Sequence, residues 1–229
     1  MPSDLPFTLL NLAMTADGKI ATANRKVSTF SSGRDREHMM ELRATVDAVL
    51  SGARTVDLNP VTLGPGSSKY RRLRLKRGLA EYNLRVIASG SGSIDPGATI
   101  FTQRFSPIIV LTTERAGERR LERLRRLADE VKVCGKDKLD FRYAFGWLRK
   151  RWKVRRLLCE GGGELDDALF RANVVNELHL TICPKIIGGR HAPTIADGRG
   201  FGSLARACQL KLKSFKRHEG ELFLVYGLD

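Results

Sequence analysis

No stretch of the 229 residues approaches the run of about eighteen apolar residues that a membrane-spanning helix needs. The start, MPSDLPFTLLNLAMTADG, also lacks a basic segment followed by a long apolar one, so no secretory leader is expected and the protein is placed in the cytoplasm. Cysteine is sparse. Cys134, Cys159, Cys183 and Cys208 form none of the close pairs that zinc or redox motifs use, and all four are expected to be buried free thiols. His38, His179, His191 and His218 are scattered without metal spacing, and no H-E-x-x-H, Walker loop or nucleophile triad occurs. No metal is therefore expected. These absences fit hydride transfer, in which a cofactor brings the reactive chemistry and the protein supplies binding and orientation. Repeats, low-complexity tracts and linkers are missing too, which predicts one domain spanning residues 1–229.

Acidic residues are scarce relative to basic ones, 25 against 40, for a formal net charge of +15 at pH 7. Such an excess suits nucleic acid, a membrane surface or strongly anionic small ligands. Much of it lies in the dispersed runs Tyr70–Arg77, Glu118–Leu127 and Arg149–Arg156. Leu121, Leu124 and Leu127 recur every third residue among arginines, the pattern of an amphipathic helix with its charge turned to water. A solvated face is the favoured reading. Nucleic-acid binding without enzymatic activity remains an alternative, and it predicts steeply salt-dependent binding.

Apolar runs and helical patterns alternate along the chain. Strands are predicted at Phe7–Met14, Asp47–Leu50, Leu84–Ser89, Pro107–Thr112, Val131–Cys134, Val154–Cys159 and Glu177–Cys183. Helices are predicted over Asp35–Thr45, over the basic run to about Glu130, through Phe141, Phe145 and Leu148, and over Leu165–Asn173. Asn59–Arg77 reads as a long functional loop. Period-two patterns in Gln209–Arg217 and Glu221–Leu228, around His218-Glu219-Gly220, predict a hairpin. The class is α/β: a mixed, mostly parallel sheet flanked by helices, with a C-terminal antiparallel hairpin.

Four segments carry candidate chemistry. In RRLLCEGGGELDDALF (Arg155–Phe170) a strand ends in Gly161, Gly162 and Gly163 and runs into a helix, a place where backbone N–H groups and the helix field favour phosphate. Glu164, Asp166 and Asp167 compete with an anion there, and a tight structural turn explains the glycines equally well. Ser89-Gly90-Ser91-Gly92 is a second nest or a flexible turn. In NLAMTADGKIAT (Asn11–Thr22), Asn11 needs a partner in the protein or in a ligand, and Asp17-Gly18 reads as an ordinary turn. In Leu42–Pro60, Arg43 precedes a strand and Thr55 and Asn59 follow it; a surface arginine and a helix cap account for them as well. In CPKIIGGRHAPTIADGRGFG (Cys183–Gly202), Lys185 or Arg190 is placed to neutralise a phosphate.

Together these segments resemble the reductases of riboflavin biosynthesis, stand-alone or fused to a deaminase. The resemblance runs from Phe7 to Leu228 and rests on N-x-A-M-T-x-D-G-K-I-A (Asn11–Ala21), L-R-A-x-x-D-A-V-L-x-G (Leu42–Gly52), T-V…N-P (Thr55–Pro60), C-E-G-G-G-x-L (Cys159–Leu165) and P-K-I-I-G-G…A-P-T-x-x-D-G-x-G-F (Pro184–Phe201). It implies a dihydrofolate-reductase-like fold, a homodimer built through the C-terminal strands, and NADPH as hydride donor to the ribose C1′ of a ribosylamino-pyrimidine phosphate. Cofactor contacts are implied at Thr55, Asn59, Gly161, Gly162, Gly163 and Glu164, with Ser89 added from its nest. Substrate contacts are implied at Asn11 and Arg43, with Lys185 added as a phosphate ligand, and Glu160 is the catalytic candidate, polarising the imine or holding the pyrimidine. The family commonly has one more residue between the threonine and the proline than Thr55–Pro60 does. Either Asp57 or Asn59 therefore takes the cofactor role, and a related reductase acting on another pterin or pyrimidine is the alternative function. The basic residue that often follows has no counterpart in Val61–Gly66. No deaminase motif is present.

Overall fold

A computed structural model describes residues 4–25 and 30–228. The elements in chain order are β1 (Phe7–Thr15), α1 (Gly33–Arg43), β2 (Ala48–Gly52), α2 (Ala53–Leu58), α3 (Ser68–Lys76), β3 (Leu84–Ser89), α4 (Thr99–Thr102), β4 (Ile108–Thr112), α5 (Gly117–Leu127), β5 (Glu130–Val133), α6 (Phe141–Arg151), β6 (Arg156–Cys159), α7 (Gly163–Arg171), β7 (Glu177–Cys183), β8 (Lys211–His218) and β9 (Glu221–Gly227). The strand order is β5-β4-β3-β2-β6-β1-β7-β9-β8. β2 with β3, β3 with β4, β4 with β5, and β1 with β7 pair in parallel, while β7 with β9 and β9 with β8 pair antiparallel. This is the mixed, mostly parallel sheet with a terminal hairpin that the sequence predicts. The chain divides into two compact units, one of Met1–Phe7 with Glu41–Leu158 and one of Thr8–Met40 with Cys159–Asp229.

In the first unit β2, β3 and β4 are buried almost throughout, because helices cover both faces of a parallel sheet and continuous apolar strands such as IIVLT are the result. The basic run at α5 behaves as its periodicity demands: Leu121 and Leu124 turn inward while all five of its arginines stay exposed. Asp140 caps α6 by accepting the Tyr143 N–H at 3.0 Å, a contact worth about 1 kcal/mol.

Two expectations fail in this unit. The predicted loop Asn59–Arg77 contains α3, whose Tyr70 and Arg74 lie one turn apart on the buried face. A buried arginine hides the helical stripe from any reading that treats arginine as solvent-facing. Arg74 reaches the interior by donating to the carbonyls of Arg43 (2.6 Å), Val46 (2.6 Å) and Ala80 (2.9 Å). The short helix α2, directly after β2, is also absent from the sequence reading.

In the second unit the hairpin closes through Glu219 (φ 47°) and Gly220 (φ 88°). Two consecutive positive φ values are those of the type I′ turn, whose twist matches that of the strands. Of the cysteines, Cys134, Cys159 and Cys183 are buried and reduced, but Cys208 is only half-buried, because the segment before β8 lies on the surface. Burial raises all four thiols: Cys134 to about 11, Cys183 to about 12, Cys159 well above the ordinary range and Cys208 upward. None is an activated nucleophile.

Candidate functional site

In the first unit the carboxyl ends of β2, β3 and β4 carry the candidate residues, the edge at which parallel sheets place their ligands. Gly52 ends β2, and α2 begins at the next residue. Asn59 closes α2: its backbone N–H (3.2 Å) and its Nδ2 (3.0 Å) both reach the Thr55 carbonyl. The structure thus joins Thr55 and Asn59 in one helix-end motif, with Asn59 as a C-cap. Asp57 is exposed and accepts the Asp95 N–H at 2.9 Å.

Ser89 ends β3, buried, with its hydroxyl donating to the Ser93 carbonyl at 3.3 Å. Thr112 Oγ1 donates to the Ser89 carbonyl (2.7 Å) and Thr113 Oγ1 to that of Gly90 (2.6 Å). The turn is therefore fixed from the neighbouring strand rather than loose. Arg43, at the end of α1, is not a surface arginine: it is 6% exposed and donates to the Gly64 carbonyl at 2.5 Å.

In the second unit β6 delivers half-buried Glu160 and then the three glycines. Gly161 has φ 77°, and a Cβ there would lie 3.0 Å from Leu12 Cδ2 and 3.1 Å from Asp166 Oδ2. At Gly163, the first residue of α7, a Cβ would collide with the Thr194 carbonyl oxygen and lie 2.9 Å from Asp197 Oδ2. Gly161 is favoured by its positive φ and by the close Leu12 and Asp166 side chains, Gly163 by the Thr194–Asp197 loop packed against it, as a structural turn requires, while Gly162 is the N-cap of α7.

The acidic residues at this helix start turn out to compete little with an anion. Asp166 is fully buried, and burial raises its carboxyl well above the ordinary range, opposed by the Cys159 thiol and aided by the charge of Asp197, which favours the protonated form. Asp167 is held by Arg171 Nε at 3.0 Å and accepts the Gly200 N–H at 3.1 Å. Only Glu164 is exposed. Because native Asp166 keeps a proton that the unfolded chain releases above about pH 4, stability falls as pH rises from there toward the raised native value. Asp166→Asn should therefore raise the melting temperature more at about pH 8 than at about pH 5, and an equal shift at both would contradict a raised carboxyl.

The Cys183–Gly202 segment is ordered by three aspartates. Asp17, held at about pKa 2 by the Thr15 hydroxyl and then by the backbone N–H groups of Gly188 and Ile187, is a loop latch rather than an ordinary turn residue. Asp197 accepts from the N–H and hydroxyl of Thr194, and its own N–H donates to the Gly163 carbonyl at 2.9 Å. Asp167 holds Gly200 as above. Lys185 and Arg190 are exposed beside this framework.

Asn11 is buried in β1, and its Oδ1 has no hydrogen-bond partner among the described residues. Its register partner on β7 is His179, whose Nδ1 lies 3.2 Å from Nε2 of His38 on α1. The two histidines stand 141 positions apart in the chain, so no sequence spacing reveals them as a pair.

A family model described as the RibD C-terminal domain matches residues 6–224. The 2,5-diamino-6-ribosylamino-4(3H)-pyrimidinone 5′-phosphate reductase of Archaeoglobus fulgidus is 32% identical over 196 residues, covering 86% of this chain and 88% of that one. The protein of the same name from Methanothermobacter thermautotrophicus is 31% identical over 215 residues, 91% of each chain. Among solved structures, RibD of Acinetobacter baumannii superposes with a TM-score of 0.77 at 20% identity, over 99% of this chain and 59% of that one. The architecture is that of the dihydrofolate-reductase-like reductase domains, and the chain spans about three-fifths of that longer protein.

Proposed function

Because the chain belongs to the RibD C-terminal domain family, we propose that residues 1–229 act as one reductase domain. It converts the ribosyl group of a ribosylamino-pyrimidine 5′-phosphate to ribityl in riboflavin biosynthesis, using NADPH. The observation that carries this reading at the site is the buried Asn11 Oδ1, an acceptor without a donor in the described protein. Leaving such an atom unpaired costs about 1–3 kcal/mol, and the amino and ring N–H groups of a diaminopyrimidinone are donors that relieve it.

NADPH supplies hydride when bound. The residues fit a polyanionic nucleotide: the α7 N-terminus is relieved of two of its three acidic competitors, and the β3 turn is held rigid by Thr112 and Thr113. Thr55, Asn59, Ser89, Gly161, Gly162, Gly163 and Glu164 are the residues that would hold the cofactor. In the substrate's ring-opened form the C1′=N bond takes hydride at carbon and a proton at nitrogen, giving the ribitylamine. Asn11 and Arg43 orient the pyrimidine, Glu160 polarises the imine, and the exposed Lys185 neutralises the 5′-phosphate. The short Thr55–Pro60 segment, with its Asn59 amide already engaged, keeps open a related reductase acting on another pterin or pyrimidine. Purified protein with NADPH and the diaminopyrimidinone ribosylamino phosphate should lose reduced-nicotinamide absorbance. Oxidation only with the deaminated uracil counterpart would move the substrate, and oxidation with neither would overturn the reading.

The protein works in the cytoplasm as a homodimer. No helix among the described residues is long and apolar enough to cross a membrane. All eight residues of the edge strand β8 are exposed, including Leu212 and Phe215 at 50% and 66%. An open edge strand that exposes Leu212 and Phe215 invites strand pairing or a covering partner, and a second copy of this chain fills that role. Light scattering should give the mass of a dimer, and Phe215→Glu should give that of a monomer; a wild-type monomer would contradict the pairing.

A further inference from the structure

We propose that Arg120 and Arg123 on α5 select NADPH over NADH by binding the 2′-phosphate of the adenosine. The proposal rests on the nicotinamide-cofactor reading above and adds the residues that read the phosphate. Most of the guanidinium groups of α5 face solvent, but two of them also touch the turn that ends β3. Arg120 Nη1 lies 3.4 Å from the Ser91 carbonyl and Arg123 Nη2 lies 3.5 Å from that of Ile94. These bonds are at the outer limit of length and use one donor of each guanidinium. Neither arginine is within ion-pair range of a carboxylate among the described residues, unlike Arg125, which Glu118 holds at 2.6 Å.

Two cations one helical turn apart thus stand against a serine- and glycine-rich turn with no carboxylate among the described residues to neutralise them. At Gly90 of that turn a Cβ would meet nothing within 4 Å, so the space beside the end of β3 is open. A phosphate monoester carries close to two negative charges at neutral pH, and paired guanidinium groups bind it through parallel N–H···O contacts. The 2′-hydroxyl of NADH offers them no such charge. A general basic field would also favour the more highly charged NADPH, so a variant that removes the same charge elsewhere on α5 is needed to isolate the local contact.

The test measures dissociation constants of NADPH and NADH by calorimetry, for the wild type and for Arg120→Ala/Arg123→Ala. The expected result is a roughly ten- to hundredfold loss of NADPH affinity with NADH changed less than about twofold. The charge-matched variant Arg119→Ala/Arg126→Ala, whose arginines make no hydrogen bond to the turn, should keep the wild-type ratio. Equal losses for both nucleotides, an unchanged ratio, or the same loss in the charge-matched variant would each overturn the assignment. A wild-type protein that binds neither nucleotide would instead overturn the cofactor reading, and the assignment with it.

Discussion

Arg85→Met should lower stability by about 3–5 kcal/mol, the order expected for leaving several buried carbonyls without their donor. Arg85 lies in the middle of the parallel strands, fully buried. Its guanidinium donates to the carbonyls of Ile100 (3.0 Å), Gln103 (2.7 Å) and Ser106 (2.5 Å), and it stacks 4.2 Å from the centre of the Phe105 ring. No carboxylate among the described residues pairs with it directly, and burial, with the charge of Arg104 adding to it, lowers its pKa to about 10. The segment Ile100–Ser106 is irregular for most of its length, so these bonds take the place of secondary structure in satisfying its carbonyls. Methionine keeps most of the side-chain volume but leaves three acceptors without their donor, each costing about 1–3 kcal/mol. At about 2–4 °C per kcal/mol for a chain of this size, the melting temperature should fall by roughly 10 °C. A fall of less than about 2 °C would mean that water replaces the guanidinium at little cost.

Gly163→Val should damage both stability and cofactor binding. The new side chain meets the Thr194 carbonyl and the Asp197 backbone N–H, 3.0 Å from its Cβ, and backbone cannot swing aside as a flexible side chain can. Relief requires moving the Thr194–Asp197 segment, which breaks the bond from the Asp197 N–H to the Gly163 carbonyl. Overpacking of this kind costs about 1–3 kcal/mol. Gly33→Ala, where a Cβ meets nothing within 4 Å, is the matched control and should be neutral in both measurements. NADPH affinity that survives Gly163→Val unchanged would confine the glycine run to a structural role.

The contrast between these two sites shows where a sequence is readable. Strands such as Ile108–Thr112 are legible because a strand buried on both faces must be apolar throughout, and the hairpin is legible because Gly220 marks a turn between period-two runs. Arg74 and Arg85 are illegible because the carbonyls that hold them lie up to 31 residues away, and the arginines of the helical run at α5 do mark solvent. Of the candidate site, the glycine run and Asn11 stand out locally. The roles of Asp17, Asp167 and Asp197 do not, because each acts on backbone N–H groups of one distant or irregular segment. The acidic crowding that argued against an anion at α7 is eased for the same reason: the raised carboxyl of Asp166 and the pairing of Asp167 are properties of packing. Asn59 shows the converse, since the helix cap that its sequence context allows is the role its amide plays.

The most direct test of the reductase reading follows the hydride itself. The protein is incubated with NADPH carrying deuterium at the transferable position and with the diaminopyrimidinone ribosylamino phosphate, and the product is analysed by mass spectrometry and NMR. The account predicts a ribitylamino product with one deuterium at C1′. Recovery of unreduced substrate, or of a product without deuterium at that carbon, would contradict it.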